Sequence, residues 1–404
     1  MPRKKGQSKA GRSKGTRICL TGLTVLLMAA IIGGFWLLGD RRSADERLAE
    51  IEARRAIPDS QNAALIYNAL LQDPRATSLS DSHPAVLDNG QLFYQRRTEP
   101  WRTEDGPELA AWIAERQYLI DKLVEASQLD ACRFPISIDL TDMIHVQRLA
   151  PMRQWVFLLM FALNNDLAEG RLEAALTKWR CIIQMGNHLR QQPILTDHLV
   201  ANATTELALT SMVRFVVTGE PSARHLQEIE VMALPLADAW KQHLKQIRLI
   251  ERLVTRKMKE PFSLWDRLRY PIVSYRMERA MRQAYPDGQE PPVESNGRYY
   301  RQDIATARGL RILVALRRYR DETGHWPASL AEISSSLPET ILTDPLTGDS
   351  FVYRRTAEAF ELYSRGKNKI DETVRRGSDH GDDWPIWPPR RSAPQRKPAG
   401  PNDV

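Results

Sequence analysis

Cysteine is scarce in this chain. Its 404 residues hold three, Cys19, Cys132 and Cys181, too few for a disulfide framework. Histidine is also thin, at eight. None falls in an H-E-x-x-H pattern or beside a cysteine at zinc spacing, so no recognisable zinc centre is present. His188 and His198 flank a proline-containing turn and read as structural histidines. No 34-residue period recurs, which excludes a regular helical-repeat array. An overall basic excess is missing from all but one end. The first seventeen residues carry seven Lys and Arg and no acid, which accounts for the whole net charge of +7. A chain otherwise neutral lacks the footprint of a nucleic-acid binder. The basic end also holds Gly11-Arg-Ser13-Lys-Gly15, which fits G-x-S-x-G, and Gly6 to Ser13, a near P-loop with Arg12 in place of lysine. Both chemistries need a preceding strand, and none is present there.

One long uncharged run is present, between Ile18 and Gly39. About 20 apolar residues in a helix span a bilayer's hydrocarbon core. Seven cations lie before the run and only Arg41 and Arg42 directly after it. That asymmetry places the N-terminus on the cytoplasmic side. The expectation is a single-pass protein of the cytoplasmic (inner) membrane, with lipid as one partner and the bulk of the chain extracytoplasmic. A cleaved signal peptide is the alternative, although the run is long for one and lacks an A-x-A exit.

Beyond the run the periodicity is helical. Ser43-Ala-Asp-Glu46 has the form of a capping box, with a helix to about Ala56 and Pro58 ending it. Asp59 is placed to cap a second helix carrying Ala63, Ile66, Tyr67 and Leu70. The stretch from Asp73 to Pro107 is rich in Pro, Asp, Ser and Gly and reads as a long loop, with an extended piece at Leu92-Phe93-Tyr94. From Glu108 to about Tyr285 helices dominate. Met152 to Leu167 is too short for a membrane span before Asn164, Asn165 and Asp166 intervene, so it reads as a buried helix turning at Glu169-Gly170 into a returning partner. Residues 286–297 read as a linker. Then follow an amphipathic helix through Ile304, Leu310 and Val314, and two short strands at Phe351–Tyr353 and Phe360–Tyr363. The expected fold is mainly α, a transmembrane helix plus an irregular α-hairpin domain, with a small C-terminal α+β domain. Its parts are a basic tail (1–17), a membrane helix (18–39), a helical domain (43–285), a linker (286–297), an α+β domain (298–389) and a disordered tail (390–404).

Three motifs in the C-terminal part occur in an order that resembles the globular domain of type II secretion major pseudopilins. Tyr319, Gly324, Trp326 and Pro327 match Y-x-x-x-x-G-x-[YW]-P. Asp344-Pro345 through Gly348 to Tyr353 resembles D-P-[WFL]-G-x-P-Y-x-Y, with one extra residue before the glycine. Phe360-Glu-Leu-Tyr363-Ser364-Arg-Gly366 resembles F-x-L-Y-S-x-G, and Asp382-Asp383 follow. The pseudopilin processing site is missing: Gly34-Phe35 lies at the end of the apolar run. The whole chain is more similar to bacterial single-pass membrane proteins with a helical middle and this module. Pro58-Asp-Ser-Gln-Asn62-Ala-Ala-Leu-Ile-Tyr67 resembles their shared start.

The resemblance implies a calcium site after the last family strand. Carried over residue by residue, the family's first aspartate falls on Asn368 and its later acidic ligands on Asp382 or Asp383, with Asp371 and Asp379 also near. Calcium takes six to eight oxygens. An amide at the leading position and three nearby cations, Lys369, Arg375 and Arg376, weaken the site. Cys132 and Cys181 form a candidate disulfide, left open because sequence cannot set its geometry. The functional expectation is a non-enzymatic scaffold that binds protein partners and no nucleic acid. The alternatives are a hydrolase using Asp139, Asp142 and His145, and a divergent component of a secretion or pilus-like system.

Overall fold

A computed structural model describes residues 43–79, 83–138, 147–233, 239–259, 292–356, 359–372 and 382–389. Among these residues no helix is long and apolar enough to cross a membrane. This corrects the expectation of a single-pass inner-membrane protein, and the topology built on it is withdrawn. The run 18–39, the motif matches before it and the tail 390–404 lie outside the described residues.

Helix α1 (Ala44–Arg54) opens as its sequence dictates. The Ser43 hydroxyl accepts from the Glu46 amide, and the Glu46 carboxylate accepts from the Ser43 amide at 2.7 Å. Asp59 begins only a single 3-10 turn. The true cap of helix α2 (Ala63–Leu71) is Asn62, whose carboxamide oxygen accepts from the Ala64 amide. The expected long loop holds helices α3 (Pro74–Thr77) and α4 (Gly90–Thr98). The extended piece anticipated at Leu92–Tyr94 is therefore helical, for two reasons. Asn89 caps the Gln91 and Leu92 amides. Phe93 and Arg97, one turn apart, both reach Phe157. A three-residue window cannot show that four-residue period.

Helices α5 (Pro107–Ala114) and α6 (Gln117–Ser127) lead to a segment without regular secondary structure, Ala131 to Ile138. The main body then follows: α7 (Leu149–Ala168), α8 (Leu172–Arg190) and α9 (Leu195–Thr218), then α10 (Ala223–Met232) and α11 (Trp240–Lys259). Helices α7 and α8 form the antiparallel hairpin expected from Glu169-Gly170, with Gly170 at φ 72°. Trp155 is fully buried, and its indole donates to the Ala76 carbonyl at 2.7 Å.

Apart from one bridge, in which the Ala63 amide donates to the Ala131 carbonyl, the segment after α6 belongs to no sheet, so its backbone groups need other partners. Side-chain carboxamides supply them. Asn62 accepts from the Arg133 amide and donates to the Arg133 carbonyl. Gln191 accepts from the Cys132 amide and donates to the Asp130 carbonyl. Gln192 accepts from Phe134 and donates to the Cys132 carbonyl.

Helix α12 runs from Pro292 to Thr323 and so begins inside the expected linker. It lies along α9. Arg190 pairs with Asp303 at 2.7 Å, Asn202 donates to Asn296 at 2.6 Å, and Arg317 donates to the Val216 and Gly219 carbonyls at the end of α9. After the short α13 (Glu339–Leu342) come β1 (Val352–Arg355), β2 (Phe360–Ser364) and β3 (Trp384–Trp387), an antiparallel sheet in the order β1-β2-β3. The sheet packs on α12, where Gly309 leaves room for Ile386. One hydrophobic core runs unbroken from Ala63 through Trp155 and Leu313 to Ile386. The boundary drawn at residue 297 has no counterpart in that packing. The coarse expectation, mainly helical with a small C-terminal sheet, is what the chain builds.

Candidate functional site

Among the described residues, a group of carboxylates converges where the chain leaves β2 and returns to β3. The departure needs Gly366 at φ 65°, and a Cβ there would lie 2.2 Å from the Asp382 carbonyl oxygen. The fully buried Asp344 carboxylate fixes the base of the loop. It accepts from the Leu346 amide, the Thr347 hydroxyl and the Ser364 hydroxyl, and the Ser364 oxygen accepts in turn from the Gly366 amide. Asp344 and Ser364 both belong to the motifs read from the sequence. Their work is to hold the turn.

Glu372, Asp382 and Asp383 then converge, with one oxygen of each within 4.8 Å of the others. Backbone amides orient all three. Asp382 accepts from the Asn368 amide at 3.0 Å, Asp383 from Glu372 at 3.2 Å, and Glu372 from Asp382 at 2.7 Å. Asp383 is 4% exposed. The Oδ1 atom of Asp382 is buried without a hydrogen-bond partner and lies against Gly366. Three carboxylates this close make a locally negative cluster. The donors are hard oxygens, the type calcium takes, and their separation suits an ion bound at 2.3–2.6 Å by each.

The four residues expected at this site divide. Asp382 and Asp383 are in the cluster. Asp371 is not: its Oδ1 accepts from the Tyr363 hydroxyl at 2.9 Å and its Oδ2 pairs with Arg354. Burial first, and then Asp371, raise the Tyr363 phenol pKa, which keeps that proton in place. Asn368 supports the cluster rather than joining it. Its amide nitrogen donates to Glu372 at 2.8 Å and its oxygen accepts from Ile370. Glu372 takes the place expected of Asp371. The available signal was its position four residues after Asn368 and next to Asp371.

The other candidates separate from this loop. Asp139, Asp142 and His145 lie outside the described residues, as do Arg375 and Arg376. Cys132 and Cys181 are free and buried. Burial raises both thiols, Cys181 to about 12, which leaves no reactive thiolate. His188 is a satisfied core histidine. Tyr67 Oη lies 2.9 Å from Nδ1 and the Leu129 carbonyl 2.7 Å from Nε2, which fits a proton on Nε2. Burial lowers its pKa to about 4. His198 is equally buried, beside Trp240 and His243, and is lowered to about 3.

No family model matches the chain, and neither a curated protein nor a solved structure matches it.

Proposed function

We propose that this chain is a non-catalytic, protein-binding scaffold whose C-terminal loop is set by calcium. The observation that carries the reading is the convergence of the Glu372, Asp382 and Asp383 carboxylates. Each is anchored by an amide from the opposite arm of the loop. A cation that relieves their repulsion therefore draws both arms together and orders the face they present. The resemblance of this module to pseudopilin globular domains supports the same reading. So does the course of the chain, with a long helix, then the Asp344 turn, then β1 and β2 ahead of the acidic pair.

Thermal melts of the full chain in millimolar calcium against chelator test it. A ligand that binds only the folded state stabilises it by mass action. With an affinity of about 10⁻⁴–10⁻³ M, as in extracellular calcium modules, the gain is about 1–2 kcal/mol. Glu372→Gln should abolish the shift. Asp371→Asn, which removes a side chain held by Arg354 and Tyr363, should keep it. Equal midpoints with calcium and chelator, or a full response in Glu372→Gln, would show that the loop is structural only.

A further inference from the structure

Helix α11 is attached outside the main core. Two small clusters hold it. Ile250 and Leu253 pack with Ala44, Ile136 and Ile138, while Trp240 and Ile247 pack with Tyr300 and Ile304 of α12. Neither cluster joins the core that runs from Ala63 to Ile386. At the second cluster α11 also meets α9, through rings. His198, in the first turn of α9, is 1% exposed, and neither of its ring nitrogens has a hydrogen-bond partner in normal geometry. His243 of α11 lies against it, with ring centroids 4.8 Å apart. Trp240 meets His198 edge-on at 6.0 Å, and Tyr300 meets His243 edge-on at 5.8 Å. Gly297 makes room for Trp240, since a Cβ there would lie 2.5 Å from the indole nitrogen.

The surroundings oppose a proton on either imidazole. Burial comes first. Arg190 of α8, paired with Asp303 of α12 at 2.7 Å, lies over the Tyr300 ring at 5.6 Å and repels a charge on both histidines. The positive end of the α9 dipole does the same at His198. Asp197, beside His198 in sequence, is held by Arg148. Lys241 and Lys245, two residues to either side of His243, are exposed on the far side of α11. Against these stands the Gln192 carbonyl, which favours a proton on His198. Among the described residues neither ring is bonded to a carboxylate.

We propose that α11 is a hinged arm released by acid: protonation of His198 and His243 frees its first half, Trp240 to Ile247, from α9 and α12, while Ile250 and Leu253 hold the second half on α1. With the arm seated, both rings stay neutral. Once it lifts away, each meets water and takes up a proton near the ordinary value of about 6.5. Opening thus binds up to two protons. The seated state is favoured above about pH 6.5 and loses ground as pH falls, by up to about a hundredfold per unit. Two imidazolium rings this close, beside Arg190, also repel each other, so the charged arm does not reseat. The main core is spared because α11 takes no part in it. His188 lies within that core, between Tyr67 and Leu129, so its proton acts on global unfolding instead. Release uncovers a defined face, with Trp240 and Ile247 on the arm and Tyr300 and Ile304 on α12. The device makes no use of the calcium loop, so the two readings stand or fall separately.

Hydrogen exchange of the full chain, followed by mass spectrometry from pH 7 to about pH 5 and corrected for the intrinsic rate, tests the proposal. A half-helix this short does not stay formed once undocked, so its amides report release. Protection over residues 240–247 should fall at least about tenfold per unit below about pH 6.5. Exchange there should remain faster than in α7 and α8 at every pH. His243→Phe keeps a ring but removes one proton, and should cut the logarithmic slope by about half. His198→Gln should do likewise; if that buried variant misfolds, His243→Phe decides alone. His188→Gln should leave the slope of the arm unchanged. A flat profile in the wild type, an undiminished slope in His243→Phe, or exchange of 240–247 in step with α7 and α8 would overturn the proposal.

Discussion

The helical body and the C-terminal sheet deal with buried polar groups in opposite ways. In the body, neutral donors reach backbone carbonyls. Asn164 bonds the Arg97 carbonyl, Asn165 the Trp101 carbonyl and Gln192 the Cys132 carbonyl, while His188 is kept uncharged between Tyr67 and Leu129. In the sheet module, carboxylates reach backbone amides, through Asp344, Glu372, Asp382 and Asp383. The body also buries the ion pairs Arg148–Asp197, Lys178–Asp166 and Arg190–Asp303, but where neutral groups hold its interior it is vulnerable to whatever charges them. A loop held by gathered anions responds to whatever neutralises them. Protons should therefore act on the body and divalent cations on the module.

The largest test of this contrast is acid. His188 has a folded pKa of about 4 against an ordinary value of 6.5. The unfolded chain thus binds a proton that the fold refuses, and stability present above pH 6.5 is lost as pH falls. The loss from this one residue is about 3 kcal/mol by pH 4. Unfolding free energies measured between pH 7 and pH 4 should fall less steeply in His188→Gln than in the wild type. Parallel slopes would remove His188 as an acid-sensitive group and leave His198, which burial also lowers. Asp303, whose pKa burial pushes upward despite Arg190, acts in the opposite sense, so the comparison must be made within that pair of proteins.

Next in size is the joint between the two regions. A Cβ at Gly309 would lie 2.3 Å from Ile386 Cδ1 and 2.8 Å from its Cγ2. Gly309→Ala should overpack this contact at a cost of about 1–3 kcal/mol. Because one core spans both regions, a single cooperative transition should persist at a lower midpoint. A split into two transitions would show that the sheet melts by itself.

The smallest effect compares two glycines of similar backbone. Gly170 and Gly366 have φ of 72° and 65°, but only Gly366 has neighbours where a Cβ would be. Gly170→Ala should cost about 1 kcal/mol from the left-handed conformation alone. Gly366→Ala should cost more and should also blunt the calcium response, because the clash is with Asp382. Equal costs in urea titrations would mean that the loop yields freely.

The legible parts of the fold were those governed by local chemistry. The capping box at Ser43 and Glu46, the hairpin at Gly170 and the strands around Tyr353 and Leu362 each lie within a window of a few residues. Helix α4 was missed because its evidence is a contact with Phe157, distant in sequence. Strand β3 was missed because Trp384-Pro-Ile-Trp387 holds a proline and lies in an acidic, proline-rich stretch. Its pairing with β2 is visible only in space. The linker reading of 286–297 failed at its far end, where Asn296 is buried and bonded to Asn202. In the candidate site, the motif led to the acidic pair but to the wrong neighbour. The choice between Asp371 and Glu372 depends on Arg354 and Tyr363, which hold one carboxylate and leave the other to turn inward.

The segment from Asp130 to Phe134 has a consequence of its own. Its amides and carbonyls are bonded as they would be beside a neighbouring strand, yet apart from the Ala63 amide on the Ala131 carbonyl the neighbour is made of three side chains at the ends of two helices, Asn62, Gln191 and Gln192. Each carboxamide offers a donor and an acceptor in the geometry of a peptide group, so together they imitate a missing length of backbone. Slow amide exchange here would report a β-ladder where only one isolated bridge exists. A substitution at Gln192 would act less like the loss of a side chain than like the deletion of part of a strand.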